Sequence, residues 1–299
     1  MQTSARRRLA GSATGLRASA RPLETCVARV MRLLALIVFG FSAPAVAQSL
    51  SEPPPLTPAP VAAAHSDYII VEGHSVRIPS VAATGGAGGV HWLRTTRGGA
   101  TLSTGVEAFS IAGSRWTVAN AGGAFRPFAN LVLHSQARVG RGRLTGEAFD
   151  YRMYEGGIAY RAGSRLHLTL ADQYWHVADT RGHLIKPGLS WLPHRRLSAD
   201  LTYARSAHGN LDANLVAGRL GMTIRSVTVI GGVAEGRGTA ELFDLTVRGA
   251  ADKSLKERFA GFQIQLPRAQ LMLLGSDLVI AAVHKRTLAA SIQYRLGAK

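Results

Sequence analysis

Thr287-Leu288-Ala289-Ala290-Ser291-Ile292-Gln293-Tyr294-Arg295-Leu296 alternates without a break. Leu288, Ala290, Ile292, Tyr294 and Leu296 form one set, and Thr287, Ala289, Ser291, Gln293 and Arg295 form the other. Successive side chains of an extended chain point to opposite faces. This period of two therefore reads as a β-strand with one face in an apolar medium and the other wet. Residues 196–206 repeat it, with Leu197, Ala199, Leu201 and Tyr203 set against Ser198, Asp200, Thr202 and Ala204. So do residues 258–266 (Ala260, Phe262, Ile264 and Leu266 against Gly261, Gln263 and Gln265) and 130–141 (Leu131, Leu133, Ala137 and Val139 against His134, Gln136 and Arg138). Weaker copies cover 101–111, 114–125, 149–161, 165–177, 183–192, 211–224, 226–237, 242–248 and 270–284.

Turn signals separate these runs: Arg97-Gly98-Gly99, Arg126-Pro127-Phe128, Ala162-Gly163-Ser164, Leu192-Pro193-His194, His208-Gly209-Asn210 and Arg237-Gly238-Thr239. Each can reverse a strand. No stretch carries a convincing amphipathic helix, although residues 250–258 have room for one turn. The expected class is all-β.

A soluble sandwich also alternates, so three further features decide. The polar face holds Gln, Thr, Ser and scattered Arg, where a soluble surface would carry many Lys and Glu. The runs are long enough for a tilted bilayer crossing. Trp92, Trp116, Phe125, Phe128, Tyr160, Trp175 and Trp191 lie near strand ends, where a membrane barrel places its aromatic girdles. These features predict a transmembrane antiparallel up-and-down β-barrel over residues 90–299. A strand with its connection needs roughly 15–18 residues, so the expected number is twelve, with ten or fourteen also admissible. Two residues break the scheme: Asp172 and Arg219 share faces with apolar neighbours. Asp172 must lie beyond the bilayer or be turned inward by a bulge.

The sequence before the barrel is of another kind. Residues 31–47 run from Met31-Arg32 through an apolar stretch to Ala45-Val46-Ala47, the form of a cleaved secretory signal with a mature start at Gln48. Residues 1–30 carry six Arg and no apolar periodicity, and the simplest reading starts translation at Met31. Residues 48–89 contain Pro53-Pro54-Pro55 and Gly85-Gly86-Ala87-Gly88-Gly89. They read either as a periplasmic lead-in, with one short strand at Tyr68-Ile69-Ile70-Val71, or as plain disorder. An exported barrel belongs in the outer membrane of a Gram-negative bacterium.

The whole chain of 299 residues has 35 Lys+Arg against 18 Asp+Glu. Without residues 1–47 it keeps 28 against 17, a net of +11. In the cytoplasm that balance would suggest nucleic acid; outside the inner membrane it suggests lipopolysaccharide and outer-membrane lipid, with no nucleic acid among the partners. The single thiol, Cys26, excludes a disulfide framework and a Cys-rich metal centre.

Asp150-Tyr151-Arg152-Met153-Tyr154, Gly157-Ile158-Ala159-Tyr160-Arg161, Asp200-Leu201-Thr202-Tyr203-Ala204-Arg205-Ser206 and Ile292-Gln293-Tyr294-Arg295-Leu296-Gly297 resemble strands of outer-membrane barrels of the YaiO type. The resemblance covers about residues 88–297. It implies an integral outer-membrane protein inserted by the barrel-assembly machinery, without established chemistry and associated with polysaccharide export.

Candidate chemistry is sparse. Ser206 and His208, with Asp200 or Asp212, contain the groups for a hydrolytic site at a barrel rim, but ten His and many Ser make such a coincidence common. His134-Ser135 cannot pair locally, because neighbours in a strand face opposite ways. His167, Trp175 and His176 show no metal-ligand spacing, and neither a metal nor a cofactor is expected. The better functional group is a pore lining of Gln136, Arg138, His167, Gln173, Asp200, Gln263, Gln265, Gln293 and Arg295. Amides and Arg bind hydroxyls and anions, and rings such as Trp175 stack on sugars. The expected protein is non-enzymatic, a passage or assembly partner for a polar or anionic solute or an exported polysaccharide. The alternatives are an outer-membrane hydrolase and a secreted soluble sandwich.

Overall fold

The computed structural model describes residues 66–297 except 97, 145, 211, 239–253 and 281–282. The expected signal sequence, the proline-rich segment and the strand expected over 242–248 lie outside the described residues. Within them the chain is a closed antiparallel barrel of fourteen strands in sequence order. The strands are β1 (Ser66–Ile78), β2 (Ala83–Thr95), β3 (Thr101–Ile111), β4 (Ser114–Phe128), β5 (Leu131–Leu144), β6 (Glu147–Arg161), β7 (Leu166–Val177), β8 (Thr180–His194), β9 (Leu197–Gly209), β10 (Ala213–Ile224), β11 (Val227–Gly238), β12 (Ser254–Gln265), β13 (Ala269–Ile280) and β14 (Val283–Leu296). β1 closes the ring on β14, from Asp67 opposite Leu296 to Arg77 opposite Arg286. The rim with Ser66 and Leu296 is the terminal rim, and the other is the distal rim.

The expected twelve strands become fourteen because the barrel starts at Ser66, and twelve strands do lie after residue 95. Two were missed. The tetrad Tyr68–Val71 is the first half of β1, and the glycine-rich Gly85–Gly89 belongs to β2, paired with β1 throughout. Glycines remove the alternation that marks a strand, so β2 reads as a joint. Residues 270–280 make up nearly all of β13 and 283–284 open β14, and 254–258 open β12 rather than ending a helix.

Tight two-residue turns join β3 to β4, β7 to β8 and β10 to β11. Ala112, Ala178 and Arg225 adopt positive φ there (48°, 51° and 57°), the backbone that matches the twist of a hairpin. The outer face is apolar between the rims. On β5 it runs from Leu131 to Val139 and stops at Arg141 and Arg143. Those eight steps cover about 27 Å along the strand and about 20 Å along the axis at a tilt near 40°, close to a bilayer's apolar depth.

The aromatic girdle is heaviest near the terminal rim, while Tyr154 and Tyr174, stacked outward at 6.1 Å, lie farther toward the distal rim. Trp92, Phe125, Phe128, Tyr160 and Trp191 face outward near the terminal rim, with Arg94 lying 5.2 Å above the Trp92 ring. Trp116 and Trp175 do not join it: both point inward and are buried. Asp172 stays on the outer face, where its carboxylate meets His183 Nδ1 at 3.1 Å. Arg219 points inward and donates from Nε to Asp200 at 2.9 Å. Its apolar companions Ala213, Leu215 and Ala217 face inward with it, while Val216, Leu220, Met222 and Ile224 form the outer face. Leu215, Val216 and Ala217 make both faces of β10 apolar in its distal half, which defeats an assignment by alternation alone.

Candidate functional site

The inner wall has two zones. Near the distal rim it is apolar and buried: Val76 and Ile78 on β1, Phe109 and Ile111 on β3, Trp116 and Val118 on β4, Phe149, Tyr151 and Met153 on β6, Trp175 and Val177 on β7, and Leu278 and Ile280 on β13. Rings meet across strands here. Phe109 stacks on Trp116 at 4.8 Å with 6° between planes, Phe149 meets Trp116 edge-on at 6.3 Å, and Tyr151 meets Trp175 edge-on at 5.4 Å. Gly140 and Gly142 on β5 make this packing feasible, because a Cβ at Gly142 would collide with Trp116 and come within 2.7 Å of Phe149. The Trp175 indole N–H is buried and finds no hydrogen-bond partner among the described residues.

Below this zone lies a girdle of charged and polar side chains in three clusters. In the first, Glu72 and Glu107 flank His91: His91 Nε2 is 3.1 Å from Glu72 Oε1 and 4.0 Å from Glu107 Oε1. The Asn120 amide nitrogen donates to Glu107 at 3.0 Å and lies 3.2 Å from His91 Nδ1, and Arg138 donates to Glu107 at 2.7 Å. In the second, Glu155 lies between Lys186, which hydrogen-bonds it, and His134 at 3.6 Å. In the third, Asp200 accepts from Ser190 Oγ at 2.6 Å and from Arg219. Pairing of this kind is what a charge needs away from bulk water, since a lone buried ion costs several kcal/mol (order of magnitude).

The inner wall is therefore not basic. Among the described residues, Glu72, Glu107, Glu155, Asp200 and Glu257 balance Arg138, Lys186, Arg219 and Lys285, with Arg161 and Arg295 nearer the terminal rim. The excess positive charge sits outside. Arg77, Arg115, Arg141, Arg143, Arg152, Arg181, Arg205, Arg237, Lys256, Arg258 and Arg286 ring the outer face toward the distal rim, against Asp150, Asp172, Glu235 and Asp277. A second set, Arg126, Arg165, Arg195, Arg196, Arg225 and Arg268, occupies the end of β4 and the turns of the terminal rim.

All nine residues expected to line a pore lie on the inner face, but not in one place. Arg138 and Asp200 are in the girdle, and Gln136 is beside them, opposite Glu155. Gln173 is buried and donates to Met153 Sδ at 2.8 Å. His167 lies lower, opposite Arg161. Gln263, Gln265 and Gln293 form an amide patch on β12–β14 with Gln270, and Arg295 donates to Ser66 at 2.9 Å. The contemplated rim grouping does not assemble. A bulge beside His183 leaves Ser206 opposite Leu184 and His208 opposite His183, on different faces, and Ser206 Oγ accepts the Ala213 N–H instead. Sequence reasoning missed Glu72, His74, His91, Glu107, Asn120, Lys186 and the whole apolar zone. Once the strands are aligned, parity alone finds His91, Glu107 and Asn120 on the inner face.

No family model matches the sequence, and no curated protein does. Solved structures do match in fold. The "CymD monoaromatic hydrocarbon channel" aligns with a TM-score of 0.55 at 10% identity, over 78% of this chain and 88% of that one. The "TodX deltaS2S3 mutant monoaromatic hydrocarbon channel" gives 0.51 at 9% identity, over 77% and 89%. The "KdgM porin" gives 0.45 at 8% identity, over 78% and 99%. At these identities the two matches above 0.5 show a likeness of fold alone: a closed antiparallel barrel.

Proposed function

We propose that this protein is an outer-membrane channel for a small solute with an apolar, aromatic portion. The observation that carries the reading is the two-zone inner wall. A passage for sugars or anions calls for a polar, unpaired lining. Here one zone offers stacked rings and aliphatic side chains, and in the other the cations are matched by carboxylates. Apolar surface transferred from water to such a wall gains roughly 25 cal/mol per Å². The unpartnered Trp175 indole offers one donor to a solute oxygen. Proteins named as monoaromatic hydrocarbon channels share the fold, which is consistent with this solute class.

The distal rim faces outward in this reading. Its outer ring of Arg and Lys then lies at the depth of lipopolysaccharide phosphates, and guanidinium groups bind phosphate through paired N–H donors. The terminal rim, with its Trp and Phe girdle, faces the periplasm.

Equilibrium binding tests the proposal. The purified barrel in detergent is titrated with nitrobenzene, which quenches indole fluorescence on contact. Saturable quenching that is lost in Trp116→Phe/Trp175→Phe and kept in Trp92→Phe/Trp191→Phe is the expected result. Quenching confined to the two outward tryptophans would contradict an aromatic-binding interior. Saturable binding of oligogalacturonate with no aromatic binding would restore the polar-solute reading.

A further inference from the structure

We propose that Glu72, His91 and Glu107, with His74 as a fourth ligand, form a divalent transition-metal site of the zinc class in the inner wall. The three residues lie on adjacent strands β1, β2 and β3. One ligand atom from each falls within 4.8 Å of the others. Two ligands bound to one zinc at about 2.0–2.2 Å are about 3.4 Å apart in tetrahedral geometry. The His91–Glu72 spacing of 3.1 Å and the His91–Glu107 spacing of 4.0 Å bracket that value, so side-chain rotation alone completes the set.

His74 supplies the second, separate observation. It is 3% exposed, and its Nε2 points at the same Glu72 oxygen from 3.8 Å. That is too long for a hydrogen bond; His74 stands outside the set whose ligand atoms all lie within 4.8 Å of one another, so it reaches the ion only by rotating toward His91 and Glu107. The backbone has been cleared around the group. A Cβ at Gly89 would lie 2.9 Å from His91 Nε2, 3.0 Å from Glu107 Cγ and 3.1 Å from Glu72 Oε1, and a Cβ at Gly105 would enter the His91 ring. Two glycines on facing strands thus hold open the space that the imidazole and both carboxylates share.

The charges and outer partners fit a dication. Two carboxylates neutralise it, and two imidazoles with two carboxylates are a donor set that zinc accepts, whereas calcium prefers oxygen alone. Asn120 lies against His91 Nδ1. Asn120 also donates to Glu107 and so fixes one carboxylate, the usual role of an outer partner. Arg138 donates to Glu107 Oε1, the same oxygen that faces His91, so the ion would share that oxygen with the guanidinium. The competing occupant is a proton on His91, which would leave a closed hydrogen-bonded network and no metal affinity.

The test uses the full chain purified in detergent in a Cys26→Ser background, so that no thiol competes. Cobalt(II) is titrated by its visible d–d absorption and then displaced with zinc. Band shift on boiling reports that each variant is folded. One cobalt per barrel is expected, displaced by one zinc, with affinity falling more than tenfold in both Glu72→Gln and His91→Asn. A His183→Asn/His208→Asn variant, which removes the imidazole pair on the outer face, is expected to bind as the parent does. No absorption in the parent overturns the proposal. So does binding that persists in both folded ligand variants, or binding that disappears with His183 and His208.

Discussion

Trp116→Ala opens the apolar zone at its centre. The indole is 4% exposed, stacked on Phe109 at 4.8 Å and met edge-on by Phe149 at 6.3 Å. Truncating a buried Trp to Ala costs about 3–5 kcal/mol, combining lost transfer energy with the cavity left behind. The two ring pairs account for about 1–3 kcal/mol of that, at 0.5–1.5 each. The wall cannot collapse to recover much of it, because β3 and β4 are pinned by their pairing from Thr101–Ala124 to Ile111–Ser114. We therefore expect the upper half of the range. Urea unfolding in detergent, read by the loss of the unboiled gel band, measures it as a lower midpoint at constant slope. Trp92→Ala, on the outer face beside Arg94, serves as the control and should cost less than half as much. A loss below about 1 kcal/mol for Trp116→Ala would mean that the ring is not packed against Phe109 and Phe149.

Other perturbations test other parts of the structure. Leu220→Arg places a charge on the outer face of β10, where Leu220 is 68% exposed; insertion should weaken by about 2–4 kcal/mol near mid-depth, read as folded yield in vesicles. Asp200→Asn leaves Arg219 facing inward without its counter-charge and weakens the Ser190 contact. We expect a loss of about 1–3 kcal/mol, largely reversed in Asp200→Asn/Arg219→Met, and a double-mutant cycle in urea measures the coupling. Ala178→Gly relieves a positive φ of 51° in the β7–β8 turn. It should stabilise the barrel by up to about 1 kcal/mol after the glycine's own entropy cost, visible as a raised urea midpoint.

Most of the fold was legible because the outer wall is uniform. Leu288, Ala290, Ile292, Tyr294 and Leu296 all face outward, as their period demands. Alternation reports contrast between faces, however, and fails wherever contrast is lost. It was lost in β2, where glycines clear space around His91, and at the distal end of β10, where Ala213 and Leu215 are apolar and inward. Trp116 and Trp175 were read as girdle residues for the same reason: an apolar inner wall looks like a lipid-facing one. The charge excess was legible as a number but not as a place. Arg219 and Arg138 are each matched by an acid on another strand, Asp200 and Glu107, while the surplus lies on the outer face and at the terminal rim. The first girdle piece was invisible for a further reason. Glu72, His91 and Glu107 are 19 and 16 residues apart, so only strand pairing brings them together.

Uptake through a membrane tests the central claim most directly. The protein is reconstituted into vesicles bearing lipopolysaccharide in the outer leaflet, whose low intrinsic permeability to apolar solutes exposes a protein path. Entry of a labelled monoaromatic alcohol is then compared with that of a pentose and of a galacturonate oligomer. The account predicts protein-dependent entry of the aromatic solute, altered by Trp116→Ala, with little gain for the sugars. Equal or greater entry of the pentose and the galacturonate would contradict it and make the apolar zone a structural packing layer instead.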